Sequence, residues 1–336
     1  MASRRSLLHT GLALALAPLA GLAGCTGSSS PGEGGGDGLK KVSLLLNWFP
    51  EAEHGGFFAA LVHGFYREAG LDVEIRPGGP NVPMIQQTAA RRVDFCVANA
   101  DNVLFGRAED APVVAVMAAL QVSPRIIMVH EKSGIRSFEQ LKNVKLAMSD
   151  TGAFAQYLRK RYPFEGVQIV PYTGNVAQFL VDPDYAQQGY IFSEPHVARK
   201  KGGDPYPLSV AEVGFNPYTS LLVTHEERIQ SDPETVRKMV EASVRGWEKY
   251  LEAPEETNRR IHELNPEMEL DLLELGARDM EPLVRDETAK QEGIGHMSRE
   301  RWETLAQQLQ EIGQLKAGQV TPASAFTTEF LPKSGE

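Results

Sequence analysis

The sequence predicts a two-lobed α/β protein, with two parallel-type sheets, flanking helices and two crossings that act as a hinge. Three observations carry that expectation. The chain has 336 residues, more than one ordinary core holds and about right for two. Short apolar runs alternate with amphipathic segments, the mark of βαβ units with right-handed crossovers. That alternation occurs twice, and two further apolar segments look like passages between the sets.

In order, residues 42–46 read as a buried strand and the segment around 56–69 as a helix. Residues 72–75 form a second strand, 82–92 a second helix and 93–97 a third strand. A helix near 103–108 and a strand over 113–120 complete the first set. The second set holds a strand over 144–148, a helix over 153–162, a strand over 167–170, a helix near 176–180 and a strand over 189–192. Residues 125–130 leave the first set and 219–224 return to it. Ser231 then stands as an N-cap, with Pro233 and Glu234 in the first turn of a helical region that runs to about residue 315. These readings place residues 40–128 and 223–316 in one lobe, 129–222 in the other, and 317–336 in a tail marked only by Phe326 and Phe330.

The N-terminus reads as an address and a tether. Arg4 and Arg5 precede residues 6–24, which carry no Asp, Glu, Lys or Arg and end in Leu22-Ala23-Gly24-Cys25. Small residues before a cysteine suit signal-peptide cleavage and lipid attachment, so residues 1–25 are expected to be a lipoprotein signal, with Cys25 accepting the lipid. Residues 3–8 also resemble a twin-arginine export signal, which leaves the export route open. Residues 26–39, rich in Gly and Ser, read as a flexible leash.

A net charge of −10 argues against nucleic acid as a partner, because phosphates require a basic face. The basic run Arg199-Lys200-Lys201 reads as a solvated helix end. Two cysteines give no disulfide framework: Cys25 is the lipid acceptor, and Cys96 falls inside a buried strand as a small core residue. No HExxH, GxSxG or Walker A pattern occurs.

Several stretches carry a family resemblance. They include residues 46–56 (Leu46-Asn47-Trp48-Phe49-Pro50 through His54-Gly55-Gly56), residues 64–73, and Val93-Asp94-Phe95 with Asn99-Ala100-Asp101. Residues 111–116, 134–142 and 189–195 add to it. Over about residues 40–300 the chain resembles the extracytoplasmic substrate-binding proteins of ABC importers. The branch is the one that holds thiamine-pyrimidine precursor, riboflavin, nitrate, taurine and alkanesulfonate binders, and Asn47-Trp48 with His54 is most similar to the pyrimidine binders. The resemblance implies the type II periplasmic-binding-protein fold, a small heterocyclic ligand between the lobes, and a permease with its ATPase as partners. It also implies a monomer without a cofactor, held at the outer face of the membrane by lipid, and no enzymatic activity. The fungal thiamine-pyrimidine synthase of the same fold is the rival, but its cysteine-rich iron motif has no counterpart here.

Ligands of such sheets bind beyond the carboxyl ends of strands. Trp48 stands there and could stack on a flat ring or cap the core. Asn47 offers a donor and an acceptor, or closes a turn. Glu194 could accept from an exocyclic amine or cap the helix that follows. His54 could donate to a ligand or to its own loop. Asn99 and Asp101 share the rim, Asp101 being also a fair N-cap. The amides of residues 149–152, Asp150 and Thr151 included, could hold an anion, which the Asp150 carboxylate disfavours. Tyr218 lines the cleft or packs at the hinge.

Overall fold

The computed structural model describes residues 38–333; the expected signal, Cys25 and almost all of the leash lie outside them. The strands are β1 (Lys40–Leu45), β2 (Leu71–Arg76), β3 (Phe95–Ala98), β4 (Val113–Leu120), β5 (Arg125–His130), β6 (Lys145–Ala147), β7 (Gln168–Val170), β8 (Tyr185–Tyr190), β9 (Pro205–Ser209) and β10 (Thr219–His225). They form two five-stranded sheets, ordered β2-β1-β3-β10-β4 and β7-β6-β8-β5-β9. Both sheets are mixed rather than parallel. β1 runs parallel to β2 and β3, and β6 to β7 and β8, but β10 and β5 lie antiparallel to both of their neighbours. These two are the segments read as passages between the lobes. Each is integral to one sheet, because β5 follows β4 after only residues 121–124 and enters the second sheet against the direction of its βαβ strands.

The helices are α1 (Gly55–Val62), α2 (Phe65–Glu68), α3 (Met84–Ala89), α4 (Ala100–Ala108), α5 (Ala153–Arg161), α6 (Ala177–Val181), α7 (Glu194–Lys200) and α8 (Glu226–Ser231). The long C-terminal set is α9 (Pro233–Glu252), α10 (Glu255–Leu264), α11 (Leu270–Val284), α12 (Glu287–Glu292) and α13 (Arg299–Glu311). Among the described residues no helix is long and apolar enough to cross a membrane.

Several elements depart from the sequence reading for local reasons. The helix expected over 56–69 breaks into α1 and α2 at Gly64, whose φ of +79° only glycine adopts without strain. The strand expected over 189–192 begins earlier, because Gln187 and Gln188 are buried in β8 and interrupt the apolar run. β9 passed unread, since Pro205 and Pro207 suit only a sheet edge, which is where it lies. Ser231 is not the cap of α9: it ends α8 and donates its hydroxyl to the Glu227 carbonyl, while Asp232 takes the N-cap position. The tail also has a structural role. Ala325 and Thr327 bond to Ala115 on the free edge of β4, and Phe326 stacks on Trp302 with ring centroids 5.4 Å apart.

The core fits the expected pattern. Every residue of β4 is buried, with Ala115 in one apolar cluster and Val116 in the other. Cys96 is fully buried, and burial pushes its thiol up to about 12. α1 and α9 meet backbone to backbone, since a Cβ on Gly246 would lie 2.1 Å from the Gly56 carbonyl oxygen. The basic run ends α7, where Lys200 pairs with Glu269 and Asp271 rather than facing water alone.

Candidate functional site

The carboxyl ends of β1, β3, β6, β7 and β8 converge on one cavity of about 760 Å³, placed between the two sheets. Elements of both lobes line it, the arrangement in which open α/β folds hold ligands. Of the residues singled out from the sequence, Asn47, Trp48, Asn99, Asp150 and Glu194 line this cavity; His54, Asp101, Thr151 and Tyr218 do not.

The first wall follows β1. Trp48 is partly exposed and meets Phe49 edge-on, with ring centroids 5.6 Å apart. Across the cleft it faces Gly174, where a Cβ would lie 4.0 Å from the indole. His54 sits wholly buried behind this wall, and burial pushes its imidazole down to about 3, so it is neutral. Its Nδ1 accepts from the Glu51 amide at 3.4 Å, and its Nε2–H donates to Asn47 Oδ1 at 2.8 Å. Thus His54 fixes the orientation of Asn47 instead of facing the cavity.

Two acids complete this wall. Glu51 and Glu53 are both buried and both line the cavity. The Ser193 hydroxyl donates to Glu51 Oε2 at 3.0 Å, and the Ser220 hydroxyl to Glu53 Oε2 at 3.2 Å. Glu53 Oε1 lies 3.3 Å from His54 Nε2, but the histidine's proton goes to Asn47, and Oε1 has no hydrogen-bond partner among the described residues. Burial pushes the Glu53 carboxyl up to about 7, partly offset by Ser220, Arg125 and Asn47. Burial and the charges of Glu53 and Glu194 hold Glu51 well above the ordinary carboxylate range.

The second wall comes from the other sheet. Glu194 is the first residue of α7 and lines the cavity, but it does not cap the helix: Ser193 holds the N-cap position. Its Oε1 accepts from the Tyr172 hydroxyl at 2.5 Å and its Oε2 from the Tyr190 amide at 2.7 Å. Burial, with Glu194 nearby, raises the Tyr172 phenol, and burial pushes Tyr190 up to about 12. Arg125 lies between two rings, its guanidinium carbon 4.1 Å from the Tyr190 centroid and 4.8 Å from that of Phe154. Among the described residues it has no ion-pair or side-chain hydrogen-bond partner, so its donors are available to the cavity.

The remaining candidates have local partners. Asn99 is the N-cap of α4, and its amide reaches toward the Tyr190 hydroxyl at 3.4 Å. Asp101 is therefore not the cap; it stands inside the first turn, accepts from the Asn102 amide at 3.0 Å, and has its carboxyl raised by burial. Asp150 pairs with Arg159 at 2.5 Å, and the Thr151 carbonyl accepts from Gln314 at 2.7 Å. Ser149 and Gly152 donate their amides to Gln188 Oε1 and Ser149 Oγ, so the loop keeps few donors for an anion. Tyr218 packs at the hinge: Arg301 covers its ring at 3.9 Å and its hydroxyl accepts from the Ser298 amide at 3.0 Å.

Sequence reasoning left out Glu51, Glu53, Arg125, Tyr172 and Tyr190. One signal was available for the two acids, since they fall between a buried strand and the apolar helix α1, where a solvated charge has no reason to stand.

The chain matches the family model described as NMT1/THI5 like over residues 51–257. It is 26% identical over 308 residues to the riboflavin-binding protein RibY of Chloroflexus aurantiacus, covering 88% of this chain and 87% of that protein. It is 24% identical over 229 residues to the formylaminopyrimidine-binding protein of Halalkalibacterium halodurans, covering 66% and 69%. Yeast proteins named as synthases of 4-amino-5-hydroxymethyl-2-methylpyrimidine phosphate are also similar, at 25% identity over 256 residues for one of them, covering 69% and 73%. In structure it is similar to the aliphatic sulphonate-binding protein SsuA of Escherichia coli, with a TM-score of 0.65 and 13% identity, covering 88% and 95%. That likeness establishes the two-lobed periplasmic-binding-protein fold.

Proposed function

The chain belongs to the NMT1/THI5-like family, and from that premise we propose that it is the substrate-binding protein of an ABC importer, anchored outside the membrane by lipid on Cys25. Its ligand is a small nitrogen heterocycle, an aminopyrimidine precursor of thiamine, captured in the cleft between the lobes. The observation that carries this reading is the pairing, on one wall, of an accessible Trp48 face with a carboxyl oxygen, Glu53 Oε1, that lacks a partner. A flat ring bearing amino groups satisfies both, stacking on the indole while its N–H groups reach the acids. Glu51, Glu53 and Glu194 around the same space disfavour a sulfonate or nitrate, and the amides of Ser149 and Gly152 are already in use.

Capture is a hinge closure, with residues 121–124 and the segment before β10 as the flexing connections and a permease as the receiver. Riboflavin is the second reading, favoured by the similarity to RibY along most of the chain and by a cavity of about 760 Å³. The chain acts as a binder and not as a synthase. Trp48→Ala and Glu194→Gln should each weaken binding of an aminopyrimidine by about 1–3 kcal/mol, measured by calorimetric titration. Unchanged affinity in both variants would remove the site from contention.

A further inference from the structure

Glu53 sits in the cavity wall with an unusual set of neighbours. Its Oε2 accepts from Ser220, its Oε1 has no hydrogen-bond partner, and no Lys or Arg lies within ion-pair distance of it among the described residues. The titratable groups that face it are Glu51 from the same turn, Glu194 from α7 and the Tyr190 phenol at the end of β8. Tyr172 turns its hydroxyl to Glu194, and Asp101 stands on α4 beyond Tyr190. Against these acids stands, among the described residues, one cation, Arg125, since His54 donates its only ring proton to Asn47 and carries no charge. Buried carboxylates crowded around a single guanidinium do not all ionise; a proton retained among them costs less than another desolvated charge.

A protonated carboxyl differs from a carboxylate in kind. It presents an O–H donor beside a C=O acceptor, whereas the ion only accepts. That donor–acceptor pair is complementary to a ring nitrogen beside an exocyclic amine, as in an aminopyrimidine. It is equally complementary to a carbonyl beside a ring N–H, as on the pyrimidinedione edge of a flavin. We propose that Glu53 meets the ligand as a neutral carboxylic acid, so that the cleft takes uncharged heterocycles whose edge carries a hydrogen-bond acceptor next to an N–H donor. This deepens the heterocycle reading above and rests on it for the ligand, while the proton on Glu53 rests on the crowding of buried acids around one guanidinium.

The test uses the full-length chain, with formylaminopyrimidine and riboflavin as probes, in wild type and Glu53→Gln. Glutamine keeps a donor beside an acceptor at every pH. Titrations between about pH 5 and pH 9 should show wild-type affinity level on the acid side, then falling by up to tenfold per pH unit once Glu53 ionises. Glu53→Gln should stay within about threefold of wild type near pH 6 and remain flat to pH 9. A wild-type affinity that ignores pH or rises with it, together with a Glu53→Gln loss at pH 6, overturns the proposal. Infrared difference spectra of the ligand-free proteins, wild type minus Glu53→Gln, read the proton independently. They should show the carbonyl band of a protonated carboxyl near pH 6 that disappears by pH 9, and its absence at pH 6 overturns the proposal whatever the probes do. If that band is present but neither formylaminopyrimidine nor riboflavin binds in the titrations, the heterocycle reading falls and the protonated acid stands.

Discussion

Replacing Glu53 by glutamine should stabilise the protein in a pH-dependent way. The folded protein holds this carboxyl up to about 7, against 4.5 for the free side chain, with burial as the main cause. Between those two values the unfolded chain has lost the proton and the folded chain keeps it, so the wild type loses stability as pH rises through that window. At about 1.4 kcal/mol per pH unit the effect reaches about 3 kcal/mol by pH 7 and is nearly absent below about pH 4.5. Glutamine has no proton to lose and pays none of this. His54 acts in the opposite sense: buried neutral with its imidazole near 3, it makes the wild type less stable as pH falls below 6.5. The absolute melting curve therefore mixes both, and the difference between variant and wild type isolates Glu53. For about 300 ordered residues, 3 kcal/mol corresponds to a melting shift of about 5 °C. Differential scanning calorimetry at pH 4.5, 6 and 7.5 should show the advantage of Glu53→Gln growing across the series. An advantage that is constant with pH, or that shrinks as pH rises, would refute a buried, proton-retaining Glu53.

Two further outcomes probe the scaffold. Gly246→Ala should lower stability by about 1–3 kcal/mol, because its Cβ meets the Gly56 carbonyl at 2.1 Å and the Ala60 amide at 2.8 Å, and neither backbone atom can move aside alone; a melting temperature equal to wild type would show that α1 and α9 are not in backbone contact. In a Cys25→Ser chain, a thiol reagent should leave Cys96 unmodified at pH 8 until denaturant is added, since the thiol is fully buried and pushed up to about 12; rapid native labelling would contradict its place inside β3.

The parts of the fold that were legible in the sequence are those governed by period and composition. The all-apolar β4 and the alternation of strand and helix announce themselves, and their ends differ from expectation by a few residues. What stayed hidden depends on partners distant in sequence. β10 reads as an apolar strand, but nothing in residues 219–225 tells that it runs against β3 and β4. Gln187 and Gln188 lie outside the expected strand because they are polar, and only the fold shows Gln188 accepting from the Ser149 amide. The site divides the same way. Asn47, Trp48, Asn99 and Glu194 could be placed because each lies just past the carboxyl end of a strand. Arg125 begins the hinge strand and reads as a solvated charge, and only the tertiary fold brings it between Phe154 and Tyr190. His54 illustrates the converse: its place in the loop after the first strand was readable, but its hydrogen bond to Asn47 and its complete burial appear only in the fold.

The most direct test of heterocycle capture is thermal melting of the purified chain against separate ligands: formylaminopyrimidine, riboflavin, taurine, an alkanesulfonate and nitrate. A true ligand at about 100 times its dissociation constant adds about 2.7 kcal/mol and raises the melting temperature by several degrees. The expected result is a rise with formylaminopyrimidine, or with riboflavin on the second reading, that Trp48→Ala clearly reduces. A rise with taurine, the sulfonate or nitrate alone would contradict a cleft built around Trp48 and three carboxyl groups for an uncharged ring.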